Sequence, residues 1–531
     1  MDGRRPSKPG RAQWQRESTP ATDRLLRTVL RRRKSPLSLE EVLVTDRPEV
    51  HRAVSAAALG NMMEWFDFGV YAYLAAVLGK VFFPGSSPGV QVISSFATFA
   101  AAFLVRPLGG LAFGPLGDRI GRQRVLAATM IMMAVSTFAV GLLPGYATAG
   151  LWAPVLLLVC RLVQGFSTGG EYAGATTYIA EYSPDNRRGF LGSWLDFGTF
   201  VGYALGSALV TGLTAALGTD TMTDWGWRLP FLLSGPLGLI GLYMRMRLEE
   251  TPAFRAEASV GMEAGGDDTE AAHQAHAEEA RQSGHGRLKE TFTKHWHAVL
   301  ICMGLVVVYN VTNYLVTSYL PTYMTETLGR DSTTSQLLIL GTMIVVALTI
   351  TTVGRYSDLW GRRPVFMAGS AALVALAIPA LLLIRAQGTL LPAIGCLVLG
   401  LLLVCFAGTA AATLPALFPT RLRYGALSVS YNISVSLFGG TTPLAVSALI
   451  ESTHNKMVPA YYLMAAGAIG FVSAFFLHET AGRPLRGSGP MVETEEQARE
   501  LVARSRVEAG RRARETWLRL RRPGHRHHDR G

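Results

Sequence analysis

Two textures alternate along the chain. Residues 1–52 are polar and arginine-rich. From Ala53 to His478 the text turns apolar, in stretches of about twenty residues separated by short polar loops. A helix rises about 1.5 Å per residue, so each stretch is long enough to cross the ~30 Å hydrocarbon core of a bilayer. The pattern predicts twelve such helices, near 54–79, 92–114, 125–144, 151–179, 190–214, 228–247, 298–321, 335–354, 365–385, 390–414, 426–449 and 459–477. The chain therefore reads as an all-α membrane protein of two six-helix halves. The expected organisation is a basic N-terminal tail (1–52), a first bundle (53–247), a linker (248–297), a second bundle (298–478) and a basic C-terminal tail (479–531).

Composition sharpens this. Charged residues make up 17% of the 531-residue chain, against about 25% in ordinary soluble domains, yet the net charge is +12. The location of the excess gives the orientation, because inner loops of membrane proteins accumulate Lys and Arg. With the N-terminus inside, the short inner loops hold Arg119, Arg122, Arg124, Arg187, Arg188, Arg355, Arg362, Arg363, Arg421 and Arg423. The outer loops hold only Lys80, Arg228, Arg330, Arg385 and Lys456. Both tails are thus expected in the cytoplasm of a multi-pass plasma-membrane protein, with no cleavable signal peptide. Basic residues that flank spans do not form a folded nucleic-acid patch. Cys160, Cys302, Cys396 and Cys405 all fall in apolar runs without a C-x-x-C pair, so they read as buried thiols. No metal box, P-loop or nucleophile elbow is present, and neither an enzyme nor a cofactor is expected.

The halves repeat. Gly114, Asp118, Gly121 and Arg122 follow span 2, and Gly354, Asp358, Gly361 and Arg362 follow span 8 at one constant offset. Ser183-Pro184 with Arg187 and Arg188 answers Phe418-Pro419 with Arg421 and Arg423. Parallel halves of this kind place a substrate site near the midplane at their interface. The repeated Gly-x-x-x-Asp-x-x-Gly-Arg loop resembles the signature of the major facilitator superfamily. That resemblance implies alternating access, with Asp118, Arg122, Asp358 and Arg362 gating it; the alternative is a positive-inside anchor alone. A narrower resemblance runs through Asn61-Met-Met-Glu64-Trp65-Phe66-Asp67-Phe68-Gly69-Val-Tyr71, Phe103-Leu-Val-Arg106-Pro107, Gln164-Gly-Phe-Ser-Thr-Gly-Gly-Glu171-Tyr172 and Trp194-Leu-Asp196. Asp224-Trp-Gly-Trp-Arg228, Leu414-Pro-Ala-Leu-Phe-Pro-Thr420 and Tyr431-Asn432-Ile-Ser434 extend it. These look like the metabolite:proton symporters, most of all the proline/glycine-betaine (osmoprotectant) branch.

Charge inside a span is costly, so it points to function. Glu64 and Asp67 lie three apart and near one face of span 1, Arg161 and Glu171 lie in span 4, and Asp196 lies in span 5. The second half carries almost none. Glu64 or Asp67 is expected to carry the proton, with Arg161 as charge partner and Asp196 in support; the alternative is a fixed ion pair. Arg106 reads as sitting near a helix end, which leaves Arg161 as the cation of the cavity and disfavours a di- or tricarboxylate. Trp65, Phe68, Tyr71, Trp194, Tyr309, Tyr314 and Tyr431 offer aromatic faces, on which quaternary ammonium groups bind; packing is the alternative. Asn61, Gln164, Asn310 and Asn313 add hydrogen-bonding groups. Gly198, Gly202 and Gly206 form a stripe that predicts close helix packing.

Glu493 to Arg522 predicts a helix whose apolar positions are too irregular for a coiled coil. Its arginines suit anionic lipid. The linker's His273, His276 and His285 read as solvated rather than metal-binding. The function expected is a proton symporter importing a small zwitterion such as proline or glycine betaine. A symporter of another metabolite (α-ketoglutarate, citrate or shikimate type) and a non-transporting osmosensor remain as alternatives.

Overall fold

The computed structural model describes residues 36–45, 47–120, 122–246 and 292–520, with the side chains of 40, 114–120, 122–127, 239–246, 421 and 512–520 left out. The first span is α1 (Arg47–Tyr73), which bends by 59° into α2 (Ala75–Phe82). Then follow α3 (Pro88–Ile120), α4 (Arg122–Leu142), α5 (Trp152–Ser167), α6 (Glu171–Tyr182), α7 (Arg188–Thr221) and α8 (Arg228–Met246). Beyond the linker come α9 (Trp296–Tyr314), α10 (Ser332–Trp360), α11 (Arg362–Arg385), α12 (Leu390–Thr413), α13 (Thr420–Ser434), α14 (Thr442–Thr453) and α15 (Val458–Phe476). Among the described residues, nine helical stretches are long and apolar enough to cross a membrane, and the bent α1–α2 pair adds a tenth. The apolar helices α4 and α8, packed on each other, supply the other two segments that hydropathy predicts. Linker residues 247–291 lie outside the described residues, and with them His273, His276 and His285.

The glycine stripe on α7 explains its tight contact with α1. A Cβ placed on Gly198 meets the Ala58 carbonyl oxygen at 2.1 Å, and one on Gly202 meets that of Met62 at 2.3 Å. At Gly206 the nearest approach relaxes to 3.4 Å, so the helices diverge from there. Gly198→Ala is therefore expected to lower stability by about 3 kcal/mol, since rigid backbone stands in the way. Gly206→Ala is expected to be tolerated. Thermal unfolding of the two purified variants checks the contrast, and equal melting temperatures would sink this account.

Several helices loosen into π geometry near the centre. Leu315–Tyr319 continues α9 and Val435–Gly439 continues α13. Such turns cost regular hydrogen bonding and often mark functional positions. No hydropathy pattern announces them.

The tails differ from the sequence expectation. Leu43 and Val44 of β1 pair in parallel with Met491 and Val492 of β2. The C-terminal helix α16 (Glu495–Leu520) buries Ala498, Leu501 and Val502 against Leu37, Val42 and Val492. The Leu37 amide donates to Ser505 Oγ at 2.7 Å. Irregular apolar spacing thus serves a short docking patch between the two tails rather than a coiled coil. Of the arginines assigned to lipid, Arg499, Arg504 and Arg511 pair with Glu495, Glu500 and Glu508 along the same helix.

Candidate functional site

The centre is built on α1. Positions 61, 64, 65 and 68 recur at helical spacing and share one face. Asn61 donates to the Leu195 carbonyl at 2.9 Å and to Thr199 Oγ1, and receives the Trp65 indole N–H at 3.0 Å. These bonds hold Trp65 against Tyr203 and Tyr314, with ring centroids 5.4 and 5.8 Å away. Phe68 packs on Phe103 at 5.0 Å, and Phe103 meets Tyr314 edge-on at 5.1 Å. Tyr314 belongs to the second half, so this aromatic box spans the two.

A guanidinium sits inside the box, and it belongs to Arg106. Its Nη2 donates to Glu64 Oε1 at 2.9 Å, with both side chains almost wholly buried. Its carbon lies 4.4 Å from the Phe103 ring centroid, 4.9 Å from Phe68 and 5.8 Å from Trp65. Two sequence expectations change here. Arg106 is not near a helix end, because α3 continues through Pro107 to Ile120. Arg161 is not the partner of Glu64.

Asp67 shares α1 with Glu64 but faces different neighbours. Its carboxylate accepts from Ser234 Oγ at 2.7 Å and Thr137 Oγ1 at 3.1 Å. Thr137 in turn accepts from Gln164 Nε2 at 2.9 Å, and the Gln164 amide oxygen accepts from Arg161. Arg161 lies over the Tyr71 ring, 3.4 Å from its centroid. The chain Arg161–Gln164–Thr137–Asp67 thus connects α5, α4 and α1, so the Arg161 charge reaches Asp67 through two neutral groups.

Asp196 occupies a third position, between the halves. It accepts from Tyr309 Oη on α9 at 2.7 Å and lies 3.3 Å from Tyr172 Oη. Tyr172 stacks on Tyr431 of α13 at 4.4 Å. Asn310 donates to its own helix at Val306, and Asn313 is buried with an amide oxygen that has no partner among the described residues. Trp194 is not brought to this centre; it packs beside Phe190 and Phe197 on another face of α7. Sequence reasoning missed Tyr172, Tyr203, Thr137, Ser234 and the aromatic ladder of α3. The spacing of Phe99, Phe103 and Arg106 on one helical face was the available signal.

At the end of the bundle that arginine assigns to the cytoplasm, Asp358 of α10 reaches across to the first half. Its two oxygens accept from the amides of Gly189 and Phe190 at 2.8 and 2.9 Å, so it caps the N-terminus of α7. Arg362 lies 3.4 Å away, and Gly361 makes the α10–α11 turn at φ 107°. Of the first-half copy, Gly114 falls in α3, while Gly121 and the side chains of Asp118 and Arg122 lie outside what the structure describes. The segment after α15 crosses the same end. The Arg483 carbonyl accepts from Arg188, and Arg486 O accepts from Thr420 and Arg423. Leu485 packs between Ala180 and Ala416, and Arg423 pairs with Glu181 at 2.6 Å.

Two parallel sets of helices around a buried polar centre, with interlocks at one end, define a multi-pass membrane carrier. Residues 53–491 match the sugar (and other) transporter family. The proline/betaine transporter of Salmonella typhimurium is 46% identical, over 89% of this chain and 93% of its own. The glycine betaine/proline/ectoine/pipecolic acid transporter of Dickeya dadantii is also 46% identical, over 89% and 92%. Among solved structures, the major facilitator superfamily proton:xylose symporter XylE, bound to 6-bromo-6-deoxy-D-glucose, matches with a TM-score of 0.65 at 18% identity. That match covers 82% of this chain and 97% of the other. The chain belongs to the sugar (and other) transporter family, shares the fold of that symporter, and is a multi-pass plasma-membrane protein.

Proposed function

We propose that the protein is a proton-coupled symporter that imports a small zwitterionic osmolyte, of the proline or glycine betaine kind, by alternating access. The observation that carries this reading is the buried Glu64–Arg106 pair inside an aromatic box between the halves. Such a centre is neutral overall yet dipolar, and its walls suit an alkylated ammonium. The relatives named proline/betaine transporter support it. A dicarboxylate finds the cation of that box, Arg106, already neutralised by Glu64, which counts against the other metabolite classes. The chain acts as a carrier, and no catalytic step or cofactor is assigned to it. In this reading Asp67 carries the proton, Arg161 biases it through Gln164 and Thr137, and Asp196 links protonation to the contact between halves. Asp358 and Arg362 hold the cytoplasmic side shut, as Asp118 and Arg122 do in the other copy. The exposed arginines of the tails add contact with anionic lipid.

Uptake of radiolabelled betaine, proline, α-ketoglutarate and citrate by a transport-deficient host tests the assignment. Betaine or proline is expected to accumulate, and a protonophore to abolish the accumulation. Uptake that survives collapse of the proton gradient would rule out symport, and uptake of α-ketoglutarate or citrate alone would move the substrate class.

A further inference from the structure

We propose that Arg106 determines substrate specificity by an exchange of ion pairs. Its guanidinium occupies the position that suits a substrate ammonium, beside Glu64 and against the aromatic faces. An incoming zwitterion takes that position with its ammonium and draws Arg106 onto its own carboxylate. The idea rests on the zwitterion reading above and adds the group that enforces it.

Three observations point this way. Arg106 stacks on Phe103 and Phe68 at 4.4 and 4.9 Å, so a cation already fills the aromatic box. A guanidinium has five donors, and Arg106 Nε is buried without a hydrogen-bond partner among the described residues. The Tyr314 hydroxyl, on the far wall of the same box, is likewise buried and unpartnered. A fixed structural pair in a well-packed centre leaves neither donor idle.

Charge conservation then gives the selectivity. Before the exchange the centre holds one cation and one anion in contact. After a neutral zwitterion enters, it holds two of each, and every charge again has an opposite neighbour. A cation such as choline displaces Arg106 but offers it no anion. An anion without an ammonium takes Arg106 away from Glu64 and leaves the carboxylate without its guanidinium. Each of these strands a buried charge, which is costly. Rejection is thus built from the unpaired state as much as from attraction to the right ligand.

The test uses the full-length chain, purified, with ligand-induced thermal shift and binding titration for three isosteres. Glycine betaine carries both charges, choline only the ammonium, and 3,3-dimethylbutanoate only the carboxylate. The wild type is expected to prefer betaine to either by about tenfold or more. Arg106→Gln is expected to lose betaine affinity by about 100-fold and to bind choline in preference, because Glu64 and the aromatic faces remain. Glu64→Gln is expected to turn toward 3,3-dimethylbutanoate. Arg106→Lys keeps the charge without the planar stacking, so it is expected to keep the order of ligands with betaine weakened about tenfold. Cooperative unfolding of each variant verifies folding, and Arg106→Lys serves if Arg106→Gln does not fold. Wild-type betaine affinity in either Arg106 variant, or an unchanged ligand order in all three, overturns the exchange. A wild-type protein that binds neither betaine nor proline overturns the zwitterion reading instead.

Discussion

Asp67→Asn is expected to abolish concentrative uptake while leaving substrate binding within about threefold of wild type. In vesicles with an imposed gradient of two pH units, a one-proton symporter concentrates its substrate about 100-fold at equilibrium, since each unit is worth about 1.4 kcal/mol. The variant is expected to bring the internal and external concentrations level and to go no further. Asp67 is preferred over Glu64 on geometry. Glu64 must give up Arg106 to take a proton, whereas both oxygens of Asp67 are held by hydroxyls that rotate to serve either protonation state. The connected Arg161 places a cation near the carboxylate without capping it directly. Asp196→Asn separates the roles further. With Tyr309 Oη as its nearest donor across the halves, it is expected to slow turnover more than it lowers the final gradient. Continued concentration of substrate by Asp67→Asn in response to pH would sink the assignment.

Asp358→Ala is expected to shift the resting carrier toward the cytoplasm-open form by roughly 100-fold in population. The carboxylate closes two short charge-assisted bonds to the first turn of α7, where the helix dipole also favours an anion. Losing them costs about 3 kcal/mol, near the upper end of ordinary conformational coupling. Asp358→Asn retains one acceptor but no charge, and is expected to fall between. Spin-label distances between the cytoplasmic ends of α7 and α10 read the shift directly. The effect is expected to be smaller than the loss of the carboxylate alone implies, because Leu485 and the Arg483 carbonyl still bridge the halves. A distance distribution unchanged from wild type in Asp358→Ala would show that the capping bonds do not hold the gate.

Much of the site was legible in the chain, for reasons that can be stated residue by residue. Glu64, Asp67, Arg161 and Asp196 stood out because ionisable groups are rare where lipid excludes water. Asn61, Trp65 and Phe68 were named as candidate substrate contacts, and the structure brings them together on α1, whereas Glu64 and Asp67, read as near one face, meet different neighbours. Trp194 looked equivalent by its span, but its position on α7 turns it toward Phe190 and Phe197. Arg106 was undervalued because it read as lying near a helix end, although α3 runs on to Ile120 and sets the guanidinium in the buried centre. The docking of the two tails was invisible for a different reason. Leu37, Val42, Leu501 and Val502 lie more than 450 residues apart in the chain, and their few apolar positions make sense only as one patch.

The sequence by itself determined the run of apolar membrane helices, the family, and the repeated loop motifs with the arginine bias that the proposed orientation and gating rest on. Those properties follow from local rules: lipid demands a continuous apolar helix, and the inner surface collects positive charge. Only the tertiary structure decided which cation meets which carboxylate. Glu64 and Asp67 are three residues apart, yet one faces Arg106 on α3 and the other faces hydroxyls on α4 and α8. That choice depends on how each helix is rotated and on how closely Gly198 and Gly202 let α7 approach α1. Hydropathy reports how deeply a residue is buried, whereas pairing depends on distances of a few ångströms between elements far apart in the chain.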